Sequence, residues 1–222
     1  MKKVVLLFGG TGALGSALAD GLSQDMHVIV CTYKIDSSTS DHQQVQCDVT
    51  NWESVHEAVR TVIEQHGRLD VVVNSTGQYA SGKVEDIDPE ETKKVFEVNA
   101  VGALYIAKAV VPYMKQAGAG LMIHINSRGG LVGKNERSVY NSSKWALTGI
   151  TKNLQKELAP FNIRVTDIYP SALETSMQTD SKEHDKAKSV NNQDILDAVR
   201  YVISRPNNIL VTGIGVENVE YH

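Results

Sequence analysis

Short apolar runs alternate with longer segments of helical periodicity along most of the chain. Val4 to Phe8 is a continuous apolar run of strand length, the pattern of a strand covered on both faces. Ala13 to Gln24 reads as a helix, His27 to Thr32 as a second strand and Val45 to Cys47 as a third. Thr50-Asn51-Trp52-Glu53 has capping-box spacing, so a helix is expected from there to about Gln65. Leu69 to Val73 is the fourth strand. Asp88-Pro89-Glu90-Glu91 supplies an N-cap, a first-turn proline and carboxylates at the positive helix end, opening a helix to about Gln116. Gly120 to Asn126, Ser138 to Leu158, Ile163 to Tyr169 and Asp194 to Ser204 continue the alternation as strand, helix, strand, helix. Ile209 to Thr212 begins a last strand. Such alternation implies an α/β fold, a three-layer doubly wound parallel sheet with helices on both faces. One domain over residues 1–222 is expected.

Composition narrows the classes. The 222 residues carry a net charge of −4, with 41% hydrophobic and 22% charged residues, the balance of a chain able to bury a core. No basic stripe is visible, which argues against phosphate neutralisation and a nucleic-acid partner. Cys31 and Cys47 are the two cysteines and lack metal-ligand spacing; a reduced, cytoplasmic protein without a metal is the simple reading. Lys2, Lys3 and Ala17-Leu18-Ala19 imitate a secretory leader. The apolar run between them ends at Gly9, short of the roughly 7–15 residues of such a leader. No run of apolar letters approaches the ~20 of a membrane span, so no membrane partner is expected. Thr179 to Ser189 is polar and highly charged, and residues 176–190 are expected to form a short lid over a substrate.

The first strand runs into Gly9-Gly10-Thr11-Gly12-Ala13-Leu14-Gly15 and then a helix. A diphosphate needs such a turn: glycines admit close backbone approach, and helix N–H groups face the phosphates. An acidic residue about 20 positions further on would bind the ribose 2′-hydroxyl of NAD. The second strand ends instead in Thr32-Tyr33-Lys34, with no carboxylate before Asp36. A lysine attracts a 2′-phosphate, so NADP(H) is favoured over NAD(H).

Tyr140-Asn141-Ser142-Ser143-Lys144 places a phenol and an ammonium four residues apart, on one helical face. A phenol titrates near pH 10, and a nearby cation lowers that value. So tuned, it can protonate a carbonyl oxygen or deprotonate an alcohol. Ser127 follows the fifth strand, at the sheet end where ligands bind, and its hydroxyl could hold the reacting oxygen.

With these features in order, the chain resembles the short-chain dehydrogenase/reductase family from Val4 to about residue 212. Asp48-Val49-Thr50 resembles its adenine-contacting motif, and Asp70-Val71-Val72-Val73-Asn74-Ser75-Thr76-Gly77 its fourth-strand motif. Asn99 matches the family's catalytic asparagine. Asn162-Ile163-Arg164-Val165, Pro170 and Thr175 resemble the segment at the nicotinamide end. The resemblance implies strand order 3-2-1-4-5-6-7 and four catalytic residues. Tyr140 is the acid/base, Lys144 tunes it and binds the nicotinamide ribose, Ser127 steadies the carbonyl, and Asn99 holds a relay water near Lys144. It places cofactor contacts on Gly9, Thr11, Gly12, Ala13, Leu14, Gly15, Thr32, Lys34, Asp48, Val49, Asn74, Ser75, Thr76, Gly77, Tyr140, Lys144, Pro170, Leu173 and Thr175. It also implies a homodimer or homotetramer built on the helices of residues 89–116 and 138–158.

Three departures bear on the cofactor's pose. Ala13 stands where the family has glycine, Ser171 replaces the glycine after the proline, and Ser75 and Thr76 replace asparagine and alanine. The stretch between Thr175 and Asn191 is short, which disfavours a steroid or long acyl substrate. Its Lys182, Lys186 and Lys188 are interleaved with Glu183 and Asp185. Arg205-Pro206-Asn207-Asn208-Ile209 resembles the branch acting on small carbonyls or hydroxy acids. The leading expectation is a reductase of small ketones or aldehydes, or a dehydrogenase of the matching alcohols. The rival is a cofactor-binding sensor without turnover. A sugar-nucleotide epimerase shares the glycines, but the chain is short for its added substrate domain.

Overall fold

A computed structural model describes residues 2–35, 41–173 and 189–219 of the chain. The strands are β1 (Val4–Phe8), β2 (His27–Thr32), β3 (Gln43–Gln46), β4 (Val71–Asn74), β5 (Gly120–Ile125), β6 (Ile163–Pro170) and β7 (Gly213–Val216). They form one sheet in the order β3-β2-β1-β4-β5-β6-β7, every pair parallel. The helices are α1 (Ala13–Ser23), α2 (Trp52–His66), α3 (Pro89–Phe96), α4 (Gly102–Ala117), α5 (Ser138–Leu158) and α6 (Asn192–Ser204). The expected three-layer, doubly wound architecture and strand order are both present.

The continuous apolar letters of β1 serve two cores at once. Val4, Leu6 and Phe8 face the cluster that holds Val55, Val59 and Val62 of α2 and Ile106, Val110 and Met114 of α4. Val5 and Leu7 face Leu18 and Leu22 of α1 and Ile195, Val199 and Val202 of α6. All five strand residues are at most 5% exposed. Each fully buried aliphatic side chain contributes roughly 1.5–3 kcal/mol, so a charge anywhere in β1 would break one core or the other.

Several boundaries differ from the sequence expectation for identifiable reasons. The α2 cap is Asn51, whose side chain accepts from the Ser54 amide, and not Thr50. Thr50 is occupied: its amide and hydroxyl both donate to Asp48 Oδ1, at 2.9 and 2.7 Å. The last strand starts at Gly213 and not at Ile209. Side chains satisfy the preceding carbonyls: Arg164 donates to Ile209 O, Thr166 to Val211 O and Gln155 to Thr212 O.

The helix expected from Pro89 to Gln116 is interrupted by a π-helical turn, Glu97–Val101. Taken together, Pro89–Ala117 is long and apolar enough to cross a membrane by length and composition, and half of its apolar window is buried. Its apolar face is the α4 stripe packed on α2 and the sheet, so it is a core helix.

Candidate active site

The strand order reverses between β1 and β4, and in such sheets ligands bind beyond the carboxyl ends at that point. A cleft of about 1240 Å³ opens there, running from the glycine turn to Tyr140. Gly9 has φ +76°, and a Cβ on it would stand 2.9 Å from the Ser75 carbonyl carbon and the Thr76 nitrogen. A Cβ on Gly15 would stand 2.1 Å from Gly9 O. These two glycines are therefore required by packing of the turn on itself and on the loop after β4. A Cβ on Gly12 would make only ordinary contact, 3.6 Å from Gly9 O, and its backbone is extended. No side chain caps α1, and its first turn carries no acid. The positive end of this helix thus faces the cleft between Gly9, Thr11, Gly12, Ala13, Leu14 and Gly15, an arrangement that fits a cofactor diphosphate.

At the β2 end the cleft is lined by Thr32, Asp48 and Val49. The Thr32 hydroxyl donates to Lys34 O at 3.0 Å and lies 3.3 Å from Thr11 Oγ1. Lys34 itself is exposed and borders a smaller groove beside Asp48, not the main cleft. Cys31 and Cys47 meet here as free, buried thiols in hydrogen-bond contact, and burial pushes the Cys31 thiol well up. Ser75, Thr76 and Gly77 line the cleft, but Asn74 does not contact it. Its side chain, 3% exposed, accepts from the Thr76 amide and hydroxyl at 3.1 and 2.6 Å. Asn74 shapes the loop that carries its neighbours.

At the other end, α5 presents Tyr140 and Lys144 and the loop after β5 presents Ser127. Ser127 lines the cleft with Tyr140, and its Oγ accepts from the Gly129 amide at 3.0 Å. Desolvation raises the Tyr140 pKa, and nearby Ser127 and the charge of Arg137 oppose that rise. The Nζ of Lys144, the expected tuning cation, donates to Ile125 O at 3.2 Å and lies 5.9 Å from the Tyr140 ring centroid. Lys144 is 2% exposed, and burial pushes it down to about 8 against the upward pull of Asp167. Asp167 is fully buried on β6, accepting from Thr151 at 2.6 Å, Tyr169 at 2.9 Å and Asn126 at 3.0 Å.

Asn99 lies in the π-helical turn, 1% exposed, and does not line the cleft. Its Oδ1 accepts from the Gln78 amide at 2.7 Å, and its Nδ2 donates to Gln78 O and Ser143 Oγ, both at 2.9 Å. The side chain expected at a relay water thus clamps the backbone that delivers Tyr79. Tyr79 meets Tyr140 edge-on, with ring centroids 5.0 Å apart, and the Arg137 guanidinium lies 4.7 Å from the Tyr79 ring. Pro170 and Leu173 line the cleft. Thr175, the lysines at 182, 186 and 188, and residues 176–188 of the expected lid lie outside the described residues.

Sequence reading missed Tyr79, Arg137 and Asp167. Arg137 had a legible signal, since three residues before Tyr140 on a helix is the same face. Asp167 had another: it is the one carboxylate inside β6. Tyr79 had none, because only the fold brings it to Tyr140.

Comparison with known proteins sets this geometry in context. A family model described as short chain dehydrogenase matches residues 3–186. An uncharacterised oxidoreductase of Staphylococcus epidermidis is 30% identical over 226 residues, covering 98% of each chain. An alcohol dehydrogenase from Thermococcus sibiricus, complexed with 5-hydroxy-NADP, superimposes with a TM-score of 0.88 at 25% identity, over 99% of this chain and 97% of that one. A 3-ketoacyl-(acyl-carrier-protein) reductase from Brucella melitensis, complexed with NADH, gives 0.88 at 21% identity, over 98% and 97%.

Proposed function

This chain belongs to the short-chain dehydrogenase family and is an NAD(P)-dependent oxidoreductase, and on that premise we propose that it reduces small ketones or aldehydes, or oxidises the matching alcohols, with Tyr140 as the acid/base. The observation that carries this reading is one continuous cleft. It has a glycine turn and bare helix end at one extreme and Ser127 with Tyr140 at the other. The nicotinamide cofactor, when bound, supplies or accepts the hydride. The Tyr140 hydroxyl gives its proton to the carbonyl oxygen, and Ser127 holds that oxygen in line. Lys144, anchored on Ile125 O, holds the nicotinamide ribose. Asn99 keeps Gln78 and hence Tyr79 against the phenol.

NADP(H) is the favoured cofactor, supported by Thr32 and Lys34 and by the absence of an acid at the end of β2 among the described residues. The measurement is the pair of dissociation constants for NADPH and NADH; tighter NADH binding overturns the preference. Exposed Leu104 on α4 and Trp145 on α5 support pairing of those helices in a homodimer or homotetramer, which light scattering would count. The chain acts as one domain in the cytoplasm on this reading.

Tyr140→Phe is expected to abolish carbonyl reduction while NADPH still binds; unchanged turnover refutes the mechanism. Intact cofactor binding with no turnover across a broad carbonyl panel would instead favour the sensor.

A further inference from the structure

The segment of the cleft wall that leads to Tyr140 carries several cations, while Glu90 and Glu97 line the cleft from α3 and the π-helical turn. Among the lining residues between Ile125 and Lys144 are Arg128, Lys134, Arg137 and Lys144, and no acid. Arg128 is engaged by Glu217 at 2.9 Å, and Lys144 by Ile125 O. Arg137 too has a partner within the fold, and what singles it out is its position. It occupies the residue before α5, one turn ahead of Tyr140, and is only 8% exposed. Its guanidinium lies 4.7 Å from the Tyr79 ring, and that ring lies 5.0 Å from Tyr140. The Tyr79 hydroxyl is buried without a hydrogen-bond partner. A guanidinium is a planar fork suited to a carboxylate. A buried, unpartnered hydroxyl beside it is a second donor that a bound acceptor would satisfy.

We propose that Arg137, with the Tyr79 hydroxyl, binds a carboxylate of the substrate, so that the carbonyl presented to Tyr140 belongs to a short oxo acid. This deepens the reductase reading and rests on it for the chemical step. The shared contact of guanidinium and phenol with one ring keeps carboxylate and carbonyl close, as in 2-oxo and 3-oxo acids. In the reduction, the carbonyl carbon gains the hydride and its oxygen gains the Tyr140 proton. The product is a hydroxy acid, the reduced nicotinamide is oxidised, and solvent reprotonates the phenol. Burial raises the phenol's pKa and the charge of Arg137 opposes that rise, consistent with the two groups sharing one site.

The test compares each acid with its uncharged methyl ester: pyruvate with methyl pyruvate, and acetoacetate with methyl acetoacetate. The quantity read is the acid-to-ester ratio of kcat/KM in wild type, Arg137→Gln and Arg137→Lys. One charge-assisted contact predicts a ratio of roughly 10- to 100-fold for at least one pair in wild type. The ratio is expected near one in Arg137→Gln and intermediate in Arg137→Lys, which also controls for folding. A structural role for Arg137 would move acid and ester together. A wild-type ratio of one or less for both pairs, or a ratio that survives Arg137→Gln, overturns the inference and leaves the reductase reading standing.

Binding of oxamate and malonate to the cofactor-saturated protein, by calorimetry, gives a readout that needs no turnover. At least one is expected to bind wild type and to weaken by the same factor in Arg137→Gln. Binding of neither, or binding indifferent to Arg137, overturns the inference. If no carbonyl is reduced while binding still requires Arg137, the anion site stands and the reductase reading falls.

Discussion

Replacing Lys144 by methionine should make the protein more stable near neutral pH while ending its activity. Lys144 is 2% exposed, and burial lowers its pKa from an ordinary 10.5 to about 8. Below about pH 8 the ammonium is charged in both folded and unfolded chains, so the folded state bears the full burden of its burial. That burden is about 3 kcal/mol at about 1.4 kcal/mol per pKa unit. It is relieved as pH rises from about 8 to 10.5, where the unfolded chain still holds a proton that the folded one has released. Methionine removes the charge and keeps the length of the stem. Loss of the hydrogen bond to Ile125 O offsets about 1 kcal/mol. The net expectation near pH 7 is a gain of about 2 kcal/mol, which for a chain of this size raises Tm by roughly 4–8 °C. Urea unfolding of wild type and Lys144→Met near pH 7 and near pH 10.5 is the assay. The gain should vanish at the higher pH. A variant less stable near pH 7, or a difference independent of pH, refutes the reasoning. The first result would mean that the attraction of Asp167 outweighs burial, the second that the two cancel.

Asp167→Asn removes that attraction and should move the alkaline limb of the kcat/KM profile, which reports Lys144 on this reading, to lower pH; a limb that stays in place or rises counts against it. Gly15→Ala puts a methyl 2.1 Å from Gly9 O, so the turn must shift, costing about 1–3 kcal/mol. Calorimetry should find NADPH affinity reduced at least tenfold in the same variant. Asn99→Ala strips both hydrogen bonds from Gln78, for a loss of about 2–4 kcal/mol in urea unfolding and a larger fall in kcat than in NADPH affinity; a change within error contradicts the clamp.

Periodicity located the elements because each core position is dictated by a neighbour at fixed spacing. The continuous letters of β1 already required a covered strand, and its two cores bear this out. Ends were less legible because they depend on competition between side chains. Asp48 takes Thr50 away from the cap, and Gln155, Thr166 and Arg164 take the carbonyls that a longer β7 would have used. In the cleft, Ser127, Tyr140 and Lys144 were found by spacing along a helix and position after a strand. The Arg137–Tyr79–Tyr140 stack was not, since Tyr79 reaches the phenol only through the Asn99 clamp on Gln78. The contribution of Arg137 to the charge at the phenol was missed for a related reason. Sequence spacing gives the shared face but not the reach of a long cationic side chain.

The π-helical turn of Glu97–Val101 has a further consequence, in the rotational phase of the helix it interrupts. An α-helix turns by about 100° per residue, so one residue held in a wider turn resets the heading of everything after it. Upstream, α3 directs Val95 inward beside α5; downstream, α4 directs Ala103, Ile106, Val110 and Met114 at α2 and the sheet. A single uninterrupted stripe could not meet both sets of neighbours. Deleting one residue within 97–101 would restore a regular helix and swing the α4 stripe by about 100° off its core. The same deletion would carry Asn99 away from Gln78. The turn therefore acts as a phase coupler: the register that lets the helix pack is also the register that sets Tyr79 against the phenol.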